Sequence, residues 1–494
     1  MKRALKEKTT KGKTGRMKGM IGAAPAKRAL CALLAALMLV SLAACVPNMA
    51  AEPAGGGAAT TAAKSEDKAA EPVTTTTAAA TTTEKPANVT MQVWISTGVT
   101  SEEQKSMSQD EWQLTKMLKA FEAAHPGVTI ELTIPADQQV AHQTFKAAVL
   151  AGDAPDVANL WTGMLLFSLR DVVLPLDDLI PKNDLDIITA WGPTKYEFDG
   201  PILAYPYGGN ELGLLLINKK LLKECGYDLE AKPIKTMEDL DAACEAAKGA
   251  GKIPILSADD NCNGLFTFLF SSQWTNLSGT ARISSNSRGE TKYSEDEGFL
   301  RSMQVCADYF AKGYVNDDYV SAQGNDSRFY QEQGTMLVTG NWAIDTAINN
   351  LGEENIDFIT APFLDPDPPF KNTGTGGAGQ CLVIPSICKN AELAVELCSF
   401  LNNRENTISL LKRIPKAPYR TDISAADMGW DKSPLYAKLV AEGVNCGYWI
   451  DNAQEPEVMH ECFKQGALVT IGSVTPKEAA AKLDQKAAEI KSTQ

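Results

Sequence analysis

Histidine is nearly absent from this chain. Only His125, His142 and His460 occur in 494 residues, and none is paired at metal-ligand spacing. No metal and no cofactor is therefore implied. No Gly-x-Ser-x-Gly elbow, His-Glu-x-x-His motif or Ser/His arrangement occurs, so the usual signatures of a hydrolytic nucleophile or a metallohydrolase are missing. Cys-x-x-Cys pairs are absent as well. Basic charge is scarce beyond the start of the chain. Ten of the 47 Lys and Arg lie between Lys2 and Arg28, beside one acid, Glu7; the rest of the chain carries about 37 basic against 60 acidic residues, a net charge near −23. That balance argues against a nucleic-acid partner and suits a highly charged exported protein.

Residues 1–44 read as a lipoprotein signal peptide. A basic stretch precedes an apolar one, residues 29–44, which ends in Leu42-Ala43-Ala44-Cys45. The apolar stretch is shorter than the roughly 20 residues of a membrane span. Cys45 directly after Leu-Ala-Ala resembles the bacterial lipobox, and that resemblance implies lipidation of Cys45 and a membrane anchor. One acyl chain would hold only marginally, at about 0.8 kcal/mol per buried CH₂; bacterial lipoproteins carry several on one Cys. Residues 45–88 then form an Ala/Thr-rich tether, as in TTTTAAATTTEKP. It has almost no large apolar side chain to offset the entropy of ordering, and its reach is roughly 35 Å. Nine cysteines fall beyond it at irregular spacing and read mostly as free, small core residues.

The remaining stretch, roughly 405 residues, exceeds one core and predicts two α/β lobes. Residues 89–96 and 128–135 alternate as strands. A helix is expected over 104–124, with Leu114, Met117, Leu118 and Phe121 on one face. A second is expected over 138–151, with Val140, Phe145, Ala148 and Val149 inward, leading to a strand over 156–161. This β-α-β-α-β run builds a parallel sheet. Ligands in such sheets bind beyond the strand carboxyl ends, where Trp94 and Trp161 fall. Residues 200–222, GPILAYPYGGNELGLLLINKKLL, pass from turn residues through Gly208-Gly209 and Asn210-Glu211 into a continuous apolar run. Such a run suits a strand buried on both faces, and the stretch reads as a crossing between lobes with Gly208 and Gly209 as its hinge. A return crossing is read at residues 356–362. Residues 265–273 read as a buried helix, 280–291 as a polar loop, 296–311 as a helix, and 365–379 as a Pro/Gly loop before a strand at 380–385. The lobes are read as 89–203 plus 360–405 and 204–359 plus 406–494.

Four motifs in order carry a resemblance: Asp153-Ala154-Pro155-Asp156-Val157 with Trp161; Tyr205-Pro206-Tyr207 with Ile217-Asn218-Lys219; Gly334-Thr335-Met336 with Gly340-Asn341-Trp342; and the glycine-rich residues 374–379 before Ile384-Pro385. Together, over residues 89–490, they resemble the extracellular sugar-type solute-binding proteins of ABC importers. The resemblance implies a two-lobed periplasmic-binding-protein-like fold with discontinuous lobes joined by hinge strands, and no catalysis. It also implies a monomer with two partners besides the membrane: a carbohydrate, of oligosaccharide size, and the transmembrane permease subunits. Trp161 and Trp342 fall where the family stacks a ring on a sugar. The run at Tyr207-Gly208-Gly209-Asn210-Glu211 is richer in glycine than the family pattern.

A sugar presents an apolar C–H face and a rim of hydroxyls. Aromatic planes cover the first; amides and carboxylates take the second, at about 0.5–1.5 kcal/mol per hydrogen bond. Trp94, Trp161, Trp274, Trp342 and Trp449 are the candidate planes, each with core packing as its alternative. Asn210 and Glu211 either bind hydroxyls or cap the crossing. Asp345, one turn after Trp342, either faces the cleft or is a solvated helix charge. Gly377, in the glycine-rich loop, either lets backbone N–H groups reach a ligand or belongs to a surface loop. The competing functions are a cell-surface glycoside hydrolase, which needs two carboxylates about 5–10 Å apart, and a carbohydrate-sensing lipoprotein that does not transport.

Overall fold

The computed structural model describes residues 88–493, except 136–137, 196–199, 259–263, 361–363, 372–374 and 444–448. All of these lie in one compact unit, Thr83–Gln494. The signal peptide, the tether, Cys45, Cys262 and Cys446 lie outside the described residues.

β1 (Val89–Trp94) pairs in parallel with β2 (Val128–Thr133) and with β3 (Val157–Trp161). Parallel neighbours need a crossover, and helices Gln113–Ala124 and Gln138–Ala151 supply it. The first buries Leu114, Met117, Leu118 and Phe121 as its spacing predicts. The single helix expected over 104–124 is instead three pieces, Ser101–Ser106, Gln109–Glu111 and Gln113–Ala124. Thr100 with Glu103, and Ser108 with Glu111, each close a capping box, so each starts a new helix. On the second helix Phe145 and Val149 are buried, but Val140 is exposed and Ala141 takes its inward place.

β4 (Tyr205–Asn218) is fourteen residues long and connects the two halves of the fold. Tyr205, Pro206 and Tyr207 pair with β8 (Gly376–Val383), which also pairs with β3. Further along, β4 pairs with β6 (Gly334–Gly340) and β7 (Ile356–Ile359), and β5 (Ile253–Leu256) continues beyond β6. The strand order is β2-β1-β3-β8-β4-β6-β5, with β7 also on β4. β4 thus leaves the first lobe and β8 returns to it. The return expected at 356–362 is corrected: Ile356–Ile359 pairs with Leu215, Leu216, Ile217 and Asn218 and stays in the second lobe.

The apolar run of β4 is buried on both faces, as its lack of alternation predicts. Leu215 and Ile217 join a core with Phe266, Trp274, Phe299 and Val338. Leu214 and Leu216 join another with Leu337, Ile344 and Phe358. The first lobe is likewise filled on both faces, by Met91, Phe121, Leu382 and Leu397 on one and by Phe145, Leu160 and Val383 on the other. The C-terminal part is divided between these cores. Leu410 and Tyr419 pack into the first lobe, although 406–494 reads as second-lobe sequence, while Trp449 through Ile490 pack into the second.

Two loop expectations are corrected. Residues 280–287 form helix Thr280–Ser287, with Ile283, Ser284, Asn286 and Ser287 buried against neighbours. Within the expected loop at 365–379, residues 376–379 are instead the first half of β8, while 365–371 form neither helix nor strand. The stretch at 265–273 is helical as expected, beginning as a π-helical turn at Leu265–Phe270 and continuing as Ser271–Ser278. All seven described cysteines are free, five of them buried. No helix among the described residues is long and apolar enough to cross a membrane.

Candidate binding site

At the crossing, β4 skips register against β8 between Tyr207 and Asn210. Gly208 and Gly209 supply the skip at φ 81° and 89°, a region open to glycine at little cost. A side chain at Gly209 would meet Leu411, Lys416 and the carbonyl of Ala417 within about 3 Å. Asn210 is buried and bound within the fold. Its N–H donates to Ala417 O (2.7 Å), its Nδ2 to Gly443 O (3.1 Å), and its own carbonyl accepts from Asn341 Nδ2 (3.1 Å). Glu211 pairs with Lys416 and lies against Gly379, where any side chain would collide with it. Both residues thus tie the crossing together. Gly377 stands opposite Glu211 in the β4–β8 pair.

Just past the crossing, Gly213 of β4 stands opposite Gly340 of β6. With no Cβ on either strand, three rings lie close to the sheet. A Cβ on Gly213 would meet Phe268 O at 2.9 Å and Trp449 Cζ3 at 3.5 Å; one on Gly340 would collide with the Trp342 ring. Phe268 meets Trp342 edge-on at 5.7 Å and Trp449 at 5.0 Å, and the two tryptophans are 6.5 Å apart at 31°. Trp449 is 9 % exposed, whereas Trp342 is 41 % exposed. An indole held by two aromatic neighbours yet open on a large part of its surface is a ready stacking plane.

At the strand ends of the first lobe lies a largely buried polar cluster. Thr97 N–H donates to Asn159 Oδ1 (3.0 Å), and Asn159 Nδ2 donates to Gln380 Oε1 (3.2 Å). Thr97 Oγ1 also donates to Gln380 Oε1 (3.3 Å), and Thr162 Oγ1 to Ala378 O (2.7 Å). Trp161 ends β3, half-buried; its N–H donates to His142 Nε2 at 3.1 Å. Burial holds the His142 pKa below the ordinary histidine value, against the pull of the Trp161 carbonyl, which lies 3.1 Å from the same ring nitrogen.

The other candidates lie elsewhere. Trp274 is fully buried, donates Nε1 to Asp296 Oδ2 (2.9 Å) and packs on Tyr293 and Phe299; the core alternative holds for it. Trp94 is half-buried against the core that contains Phe145 and Leu160. Asp345 accepts from the Tyr436 hydroxyl. Sequence reasoning missed Thr97, Asn159, Phe268, Gly213 and Gln380. Asn159 and Gln380 carried a signal, since each is a polar residue inside an otherwise apolar or glycine strand. The Gly213–Gly340 pairing has none without the strand register.

A family model described as bacterial extracellular solute-binding protein matches residues 116–438. The multiple sugar-binding protein of Streptococcus mutans is 22% identical over 281 residues, which span 54% of this chain and 62% of that relative. Among solved structures, a chitin oligosaccharide binding protein superposes with a TM-score of 0.65 at 20% identity, covering 82% of this chain and 99% of the other. The cyclic alpha-maltosyl-1,6-maltose binding protein from Arthrobacter globiformis gives 0.64 at 16% identity, with 83% and 100% covered. The two lobes, the crossing strands and the match over most of the folded unit lead to one conclusion: the chain belongs to the bacterial extracellular solute-binding protein family.

Proposed function

We propose that this protein captures a carbohydrate of oligosaccharide size in the cleft between its lobes and delivers it to the permease subunits of an ABC importer. The observation that carries the reading is the aromatic wall of Phe268, Trp342 and Trp449, with Trp342 left open beside the strand crossing. Trp161 on the first lobe supplies an opposing plane. Thr97, Asn159 and Gln380 supply polar groups for a hydroxyl rim, and the β8 backbone at Gly377 lines the floor. The lobes turn about Gly208 and Gly209, and ligand that touches both lobes favours the closed form by its differential affinity. Cys45 carries the lipid that holds a monomer at the outward face of the cell membrane, and residues 45–88 are its tether. The names of the similar proteins, several of them binders of oligosaccharides, support this reading.

The test is a melting-point screen with chitin, xylan and malto-oligosaccharides, because a ligand that binds only the folded state raises its melting point. At least one of them is expected to raise it by several degrees without being cleaved. Release of shorter sugars would overturn the binding-protein reading in favour of a hydrolase. Ligand-stimulated uptake by cells carrying the matching permease separates transport from sensing.

A further inference from the structure

Residues 449–452 run from the aromatic wall to the opposite lobe. Trp449 and Ile450 belong to the second-lobe core. Two residues on, the Asp451 carboxylate fills the space that a side chain at Gly163 would need, and Asn452 Nδ2 lies 2.9 Å from the same point. Gly163 follows β3 of the first lobe at φ 72°. The N–H of the next residue, Met164, donates to the Asp451 carboxylate. Met164 itself packs against the second-lobe core. A glycine without a side chain, the Met164 N–H at the start of a turn and a carboxylate from the other lobe therefore meet at one point.

We propose that Asp451 is the positioning residue that closes the second lobe on the first, by clasping the Gly163–Met164 turn as the carboxyl is drawn out of water. The inference rests on the lobe-closing reading but not on the ligand being a sugar. It makes closure depend on pH. An open, solvated aspartate titrates near 3.9. In the clasped arrangement, which this structure holds, burial pushes Asp451 up to about 6, with its own N–H and that of Met164 pulling the other way. The closed form therefore holds the proton more tightly, so closure is favoured as pH falls below 6 and opposed above it. The neighbouring groups do not mask this. Arg288 and Glu455 line a small cavity with Asn452, and Arg288 is bound by Glu290 at 3.0 Å. Arg170 donates to Phe167 O, and burial holds the His142 pKa below the ordinary histidine value.

Hydrogen exchange of the whole chain without ligand tests this, read on the amides of residues 163–167. In the wild type, protection corrected for intrinsic rates should rise up to about tenfold from pH 7.5 to pH 5. Asp451→Asn keeps a carbonyl acceptor and cannot titrate, so its protection should be high and flat. Asp451→Ala removes the acceptor, so its protection should be low and flat. A flat wild-type profile, or a wild-type slope retained in Asp451→Asn, would overturn the proposal. If Asp451→Ala also loses protection in β1–β3 it has misfolded, and Asp451→Asn alone decides. Failure of every sugar to raise the melting point would refute the carbohydrate reading and leave this result standing.

Discussion

Removing the Trp342 ring should separate affinity from stability. Trp342 is 41 % exposed, and its contacts with the fold are edge-on to Phe268 and tilted to Trp449. An aromatic side chain of this size buries up to about 250 Å², so roughly 100 Å² remains for a ligand to cover. At about 25 cal/mol per Å², that surface contributes about 2.5 kcal/mol to binding. Trp342→Ala should therefore weaken the oligosaccharide that binds best by about 60-fold, measured by titration calorimetry. Trp274→Phe is the control. It removes a buried hydrogen bond to Asp296 and should cost about 1.5–3 kcal/mol in denaturant unfolding while leaving Kd unchanged. A Trp342→Ala protein that binds within twofold of wild type would refute the aromatic-wall argument. A Trp274→Phe protein with intact stability and weakened binding would reverse the assignment of the two rings.

Other substitutions probe the platform, the crossing and the charge of the ligand. Gly340→Ala places a methyl where the Trp342 ring lies; calorimetry should show more than a tenfold loss of affinity, because the ring must tilt off the sheet. Gly209→Ala combines a left-handed backbone with contacts to Lys416 and the Ala417 carbonyl. It should lower unfolding free energy by about 2 kcal/mol or more in a urea titration. Lys416, the base at the crossing, is already paired with Glu211, and the internal segments outside the described residues contain no Lys or Arg. Neutral oligosaccharides should accordingly bind at least tenfold tighter than their uronic-acid analogues in a competition assay.

Much of the fold is legible in the chain because it rests on local period and punctuation. The β1–β3 frame follows from alternating strands and from Phe121 and Phe145 at helical spacing. β4 declares itself by Leu212 through Ile217, apolar without alternation, since both faces are covered. Helix Thr280–Ser287 escapes that logic. Its buried Asn286 and Ser287 gain partners in Asp296, ten residues on, and in Glu455, 168 residues on, so contacts beyond the helix outweigh local propensity. The first half of β8 reads as a loop because glycine disfavours strands; only the pressure of Glu211 on Gly379 explains why glycine is needed there. In the site, the motif around Gly340, Asn341 and Trp342 stands out as a strand end carrying an aromatic. Trp274 is equally plausible by residue type, and only its burial and its bond to Asp296 assign it to the core. Asp451 could not be singled out, because its partner Gly163 lies almost 290 residues earlier and in the other lobe.

The proposed ligand is held between the lobes against Trp342. Hydrogen exchange mapped with and without the oligosaccharide that most raises the melting point examines this directly. Simultaneous protection of Asn341–Ala343 on the second lobe and of residues 161–163 on the first is expected. Protection confined to one lobe, or centred on any other surface, would contradict it.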